Sequence, residues 1–217
     1  VVLLGELDEG VPRGRVEAGL GRLDITDLNG VALQRLQDSE TPHLAVSALR
    51  RLIEQKMREV TKHNVVRQER FSAMLEDLMN RYMRQQLTSA QLIVELVALA
   101  KKVSADARRG QRFDPPLNHA ELAFYDAVAQ NEAATELMGI GTLAEIAREL
   151  VKSIQSSITV DWFSREPVRA KLRSHIRRLL ARYDYPPDHE RAAVDLVIRQ
   201  METFADEWAP NGQSANR

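Results

Sequence analysis

Between residues 46 and 208 the apolar side chains return every three or four positions, and that spacing commits most of the chain to helices. Val46, Leu49, Leu52, Ile53, Met57 and Val60 form one stripe, and Phe71, Met74, Leu75, Leu78, Met79 and Tyr82 form a second. Leu92, Ile93, Leu96, Val97, Ala100 and Val103 make a third. A side chain repeating at this period occupies one face of a helix, and such a face is stable only when buried against another. The expectation is therefore an all-α, multi-helix bundle of roughly six long helices. No stretch shows a convincing strand alternation, although residues 158–163 could be extended.

Start and stop signals divide the pattern. Thr41-Pro42 suits a helix start, because proline is tolerated where the backbone N–H has no intrahelical acceptor. Thr88 with Gln91, Asn118 with Glu121, and Thr142 with Glu145 each have the spacing of a capping box. Ser164 is placed to cap a further helix with Pro167 in its first turn. Gly110 reads as a helix end, and Asp114-Pro115-Pro116 cannot continue one, which makes that loop the best internal boundary. Pro186-Pro187 separates the last two helices. The expected organisation is an irregular segment over 1–40, a helical domain over 41–209 and a disordered tail over 210–217. The chain opens on Val1 within an apolar run and reads as a piece of a longer polypeptide.

Composition removes several classes of chemistry. There is no cysteine, hence no disulfide, thiolate nucleophile or cysteine metal site, which suits a reducing cytoplasm. No apolar run reaches the ~18 residues of a membrane helix, so no membrane partner is expected. Phosphate-loop and dinucleotide fingerprints are missing, as is a nucleophile elbow. His43, His63, His119, His175 and His189 are scattered without a metal-ligand spacing. The expectation is no catalytic residue, no cofactor site and no metal site in this chain. Its net charge of −1 means that any attraction to a polyanion must be local.

One local concentration stands out. Residues 165–182 hold seven Lys or Arg side chains against a single acid, Glu166. Arg169, Arg173 and Arg177, four apart, line one edge of the apolar stripe of Val168, Leu172, Ile176, Leu179 and Leu180. Lys171, Arg178 and Arg182 line the other edge. Three readings stay open. The cations can contact phosphates, meet a protein partner, or face the acidic stretch that follows. Residues 184–207 carry seven acids against Arg191 and Arg199, so the last two helices would form an antiparallel hairpin of complementary charge. Trp162 and Phe163, just before this helix, are either a hydrophobic staple or an exposed anchor. Phe124 and Tyr125 pose the same choice, core first and contact surface second.

Several long stretches resemble a known family. In order they are AGLGRLDITDLN, HLAVSALRRLIEQKMREV, ERFSAMLEDLMNRYMRQQLTSAQLIVELVALAKKV, ELAFYDAVAQNEAA, EIARELV, TVDWFSREPVRAKLRSHIRRLLARYDYPPD and VIRQMETFADEW. Together, from about residue 16 to Trp208, they resemble the C-terminal helical region of the R subunit of type I restriction–modification enzymes. The resemblance implies a parent with an upstream nuclease and an ATP- and Mg-dependent motor, neither of whose motifs occurs in these residues. It also implies methyltransferase and specificity subunits as partners, a docking role for this region, and DNA as the parent's substrate. A weak direct DNA contact through the basic helix is the alternative. The surface expected to meet a partner combines Trp162, Phe163, Arg169, Lys171, Arg173, Arg177 and Arg178, with Phe124 and Tyr125 as second choice.

Overall fold

The apolar stripes do become helices, and the local signals explain where most of them start. The computed structural model describes residues 41–157 and 166–208. The expectations for residues 1–40, for 158–165 with Trp162, Phe163 and the Ser164 cap, and for the tail lie outside them. Every regular element among the described residues is helical.

Helix α1 (Pro42–Val60) takes Pro42 at its first position and buries Val46, Leu49, Ile53 and Met57. Helix α2 (Val65–Met83) is capped by Asn64, whose side chain accepts the Arg67 N–H at 3.1 Å. Helix α3 (Ser89–Asp106) begins with the expected box, in which Gln91 N–H donates to Thr88 Oγ1 and Thr88 N–H donates to Gln91 Oε1. Helix α4 (His119–Val128) repeats the device with Asn118 and Glu121, both bonds being 2.9 Å. Helix α5 (Glu132–Ser157) is followed by α6 (Glu166–Arg182), α7 (Pro187–Thr203) and a single turn, α8 (Ala205–Trp208).

Two local expectations are corrected. Thr142 does not open a helix. The chain breaks inside α5 at Gly139, with φ 75° and ψ 160°, and Thr142 already lies in the first turn beyond it. A side chain at that φ would be strained, so glycine sets the break where a Thr-Glu pair alone suggests a later one. Gly110 does not end α3 either. It sits in a 3-10 turn (Arg109–Arg112) after that helix, buried against Leu117. A Cβ at Gly110 would lie 2.4 Å from the Leu117 carbonyl oxygen, and Leu117 N–H donates to the Gly110 carbonyl at 3.1 Å. The glycine lets the loop through Asp114-Pro115-Pro116 fold back onto the turn.

That loop also separates two apolar cores. The first is built by α1, α2 and α3 around Leu49, Ile53, Phe71, Leu92, Ile93 and Leu96. The second is built by α4 to α8 around Phe124, Leu143, Ile146, Leu150, Ile176 and Phe204. Helix α1 packs mainly on α3, α4 on α5 and α7, and α6 on α7, while α2 reaches across to α4 and α7.

Where the halves meet, the contact is polar and charged. Asp126 of α4, nearly buried, accepts from Asn64 Nδ2 at 2.7 Å and from Arg109. Asp106 of α3 accepts from Arg67 Nε at 3.2 Å and Nη2, and lies 3.3 Å from Arg109 Nε. Burial works against the charge of Arg67. Its hydrogen bond to Asp106, with the attraction of Asp106 and Asp126, still holds the guanidinium above its ordinary value. Gln200 of α7, fully buried, accepts the Val65 N–H at 3.1 Å and donates to the His63 carbonyl. It thereby satisfies the turn between α1 and α2. His63 stacks on Phe204 with centroids 4.8 Å apart, and His119 lies edge-on to both rings.

A buried charge left without its partner is far more costly than the pair is stabilising. Asp126→Ala should therefore cost about 3–5 kcal/mol in urea unfolding of the chain. Gly110→Ala should cost about 1–3 kcal/mol, because the obstructing atom is backbone and cannot swing away. Gly141→Ala, facing open space within a helix, should instead stabilise by about 0.4–1 kcal/mol in the same titration.

Candidate functional site on the basic helix

Helix α6 turns Leu172, Ile176, Leu179 and Leu180 into the second core, which fixes where its cations can point. On one edge, Arg169 Nη2 donates to Glu202 Oε1 of α7 at 2.7 Å, and Arg177 Nε lies 3.6 Å from Glu190 of α7. The start of α6 thus meets the end of α7 and the later turn meets the earlier one, the expected antiparallel hairpin of opposite charge. Arg173 folds back within its own helix to Glu166 at 2.7 Å. Arg182 pairs with Glu149 of α5, which also accepts from the Tyr183 hydroxyl at 2.6 Å. The Tyr183 hydrogen bond, then Arg182, outweigh desolvation and lower the Glu149 pKa.

Lys171 and Arg178, on the opposite edge, are exposed and have no ion-pair partner among the described residues. Arg178 Nε reaches only the Ser174 carbonyl, at 3.3 Å. Surface pairs of this kind contribute only ~0–1 kcal/mol each, so the apolar stripe holds the hairpin. What the pairs change is the field. The edge formed by Arg169, Arg173 and Arg177 is already matched by carboxylates.

For Phe124 and Tyr125 the structure gives the first of the two readings, core, and not the contact surface. Phe124 is fully buried, its ring roughly parallel to those of Phe204 and Trp208 with centroids 6.2 and 5.8 Å away, and those two rings stack on each other at 4.6 Å. Tyr125 is buried with its ring edge-on to Phe113 at 4.8 Å. Both belong to the core and offer no outer face. Tyr185, in the turn between α6 and α7, is also buried and donates to the Val128 carbonyl at 2.8 Å, anchoring the hairpin to the end of α4.

Some features could not be read from spacing. Ser153 of α5 and His175 of α6 meet through Oγ and Nε2, although 22 positions separate them. A serine–histidine contact becomes a nucleophile only when a third group orients the ring, and among the described residues no carboxylate pairs with His175. No three His, Asp or Glu side chains converge as metal ligands would, among the same residues. No described helix is long and apolar enough to cross a membrane. Flanking the Gly139 break, Leu137 and Ile140 are 75% and 59% exposed, unusual for side chains of their size. A cationic notch also opens between α2, α3 and the 3-10 turn, lined by Arg67, Arg70, Lys102, Arg109 and Arg112.

Burial pushes the Tyr185 phenol up to about 12 from its ordinary 10.0. Its contribution to stability is complete below pH 10, where the unfolded phenol is also protonated, and is lost as pH rises towards 12. Tyr185→Phe should lose about 1 kcal/mol at pH 8 with the hydrogen bond to Val128. That deficit should shrink between pH 10 and 11.5 in parallel urea titrations, because the variant has no phenol to ionise.

Comparison with known proteins finds relatives over most of the chain. The family described as Type I restriction enzyme HindI endonuclease subunit-like, C-terminal, matches residues 16–207. The chain is 34% identical over 183 residues to the type I restriction enzyme HindI endonuclease subunit of Haemophilus influenzae, covering 84% of this chain and 17% of that protein. It is 31% identical over 120 residues to a Methanocaldococcus jannaschii protein named for the MjaIXP type I restriction enzyme endonuclease subunit, covering 54% of this chain and 11% of that one. The chain thus spans less than a fifth of the length of either relative. No solved structure matches at a significant level. A match over nearly the whole helical region, in one unbroken order, means that this chain belongs to the family of HindI-like type I restriction endonuclease subunits, in their C-terminal region.

Proposed function

We propose that this helical unit is the assembly module of a type I restriction endonuclease subunit, docking it to the methyltransferase and specificity subunits of the same complex. The observation that carries the reading is one of proportion. The match takes in 84% of this chain but 17% of the relative, so the matched region is a small part of that relative, and in this reading the unit is likewise one part of a longer subunit. In this reading the parent is an ATP- and Mg-dependent DNA translocase and endonuclease of the cytoplasm, with its reactive groups in its other domains. A docking module needs a firm scaffold and an exposed face with apolar anchors rather than a reactive cleft. Leu137 and Ile140 supply exposed apolar groups beside a backbone break, and Lys171 and Arg178 supply charge with no ion-pair partner among the described residues. The alternative, duplex DNA guided along α6, has less support, because Arg169, Arg173 and Arg177 already lie against Glu202, Glu166 and Glu190.

Binding of the chain to a purified methyltransferase–specificity complex tests the proposal. The expected result is a stable complex, weakened about tenfold or more by Leu137→Asp with Ile140→Asp, and an R subunit that cannot join the complex when this region is deleted. Absence of binding, together with normal assembly of the deleted subunit, would overturn it.

A further inference from the structure

The cations of the notch between α2, α3 and the 3-10 turn fall into two groups. Arg67 and Arg109 line it together with Asp106, which holds both of them, and Arg109 is also held by Asp126. Arg70, Lys102 and Arg112 stand around the mouth, exposed, with no ion-pair or hydrogen-bond partner among the described residues. Lys101 and Arg108 are exposed beside them. Counting the five lining cations against the two carboxylates leaves a local surplus of three positive charges, on a chain whose net charge is −1. The cavity measures about 290 Å³, and its floor is apolar. Phe71 is buried there with the Arg67 guanidinium 5.4 Å above its ring, and Met74 lies alongside.

This differs from the basic helix in the respect that matters for anion binding. On α6 the folded chain supplies carboxylates to most of the cations, whereas at the notch only Arg67 and Arg109 are served. The served pair is also fixed in place, since two guanidiniums held by carboxylates present their remaining N–H groups without further ordering. Three flexible cations at the rim can then close on the same ligand. Phosphate oxygens suit such forked, multiply charged donors.

We propose that this notch seats a phosphate of a nucleic-acid backbone, and specifically of duplex DNA. The choice of duplex DNA over other polyanions rests on the reading of the parent as a restriction endonuclease subunit; the charge geometry does not. Several charges spread over two helices and a turn suit a polymer that releases counterions at successive phosphates. The notch would position backbone without reading sequence, because phosphate contacts carry no base information.

The test is fluorescence anisotropy of the 217-residue chain with a labelled 20-base-pair duplex over about 50–200 mM salt, with no other subunit present. Binding is expected at the low end, falling steeply with salt. The triple variant Arg70→Ala/Lys102→Ala/Arg112→Ala should weaken it about tenfold or more and flatten the log–log salt slope by roughly 2–3 units. Lys171→Ala/Arg178→Ala should leave the slope unchanged. An unchanged thermal melt would show that the triple variant stays folded, as expected for exposed side chains. No duplex binding at 50 mM salt, or equal binding by the triple variant, would overturn the proposal. So would complete displacement of the duplex by low-millimolar inorganic phosphate, which would make the notch a small-anion site. Because no methyltransferase or specificity subunit is present, failure here leaves the docking result untouched, and failure of docking leaves this one standing.

Discussion

The arrangement of the two halves depends on one buried arginine–carboxylate pair, Arg109 with Asp126, and the polar side chains wedged around it. Each half buries its own apolar stripes and requires little from the other for that purpose. What fixes one against the other is Asp126 of the second half held by Asn64 and Arg109 of the first, and Gln200 completing the backbone of the α1–α2 turn, while Asp106 steadies Arg67 and Arg109 within the first half. Apolar contacts would tolerate sliding. A guanidinium fork against a carboxylate tolerates very little, since a small displacement leaves a charge without its partner in a poorly solvated place. Such a seam adds modest net stability compared with an apolar interface of equal volume, and its effect is to select one orientation.

Charge is therefore used in three different ways within one nearly neutral chain. In the seam it orients. Along α6 and α7 it is cancelled between neighbouring helices, so a strongly basic stretch of sequence becomes a surface with little field of its own along one edge. At the notch it is left over. The sequence displays the second most loudly, because seven cations in eighteen positions are easily seen. The third is quieter, since Arg70 lies more than thirty positions from Lys102 and only folding brings them together. A charge run in a sequence counts cations and says nothing of which ones the folded chain will neutralise.

The same distinction explains what else was legible. The helices, their buried faces and the boxes at Thr88 and Asn118 were readable because each depends on residues three or four positions apart. Asn64 was missed as a cap because nothing at its third following position marks it, and its cap bond is to backbone. The Thr142–Glu145 pair misled because a backbone break at Gly139 had already begun the helix. Gly110 was recognised as punctuation, but its actual role, admitting the Leu117 carbonyl, depends on a loop that returns to it. The hydrogen bonds that cross the seam join residues 17 to 137 positions apart, and no local pattern encodes them. Phe124 and Tyr125 are open between core and surface in the sequence because an aromatic pair on a short helix suits either; Phe204 and Trp208, arriving from the far end of the chain, cover Phe124, and Phe113 covers Tyr125.

Seam and notch share two side chains, and that ties orientation to the outer surface. Arg67 pairs with Asp106, and Arg109 with Asp106 and Asp126, while both guanidiniums line the notch beside Asp106. A guanidinium has five N–H donors, more than one carboxylate can accept, so it can serve an anion as well without giving up those bonds. Burial alone would disfavour the charge of Arg67, yet the carboxylates near it hold it protonated. These acids are thus what allow cations to persist in a partly apolar notch, where unpaired they would be too costly to keep. Stability of the fold and readiness of that surface to receive an anion follow from the same two carboxylates.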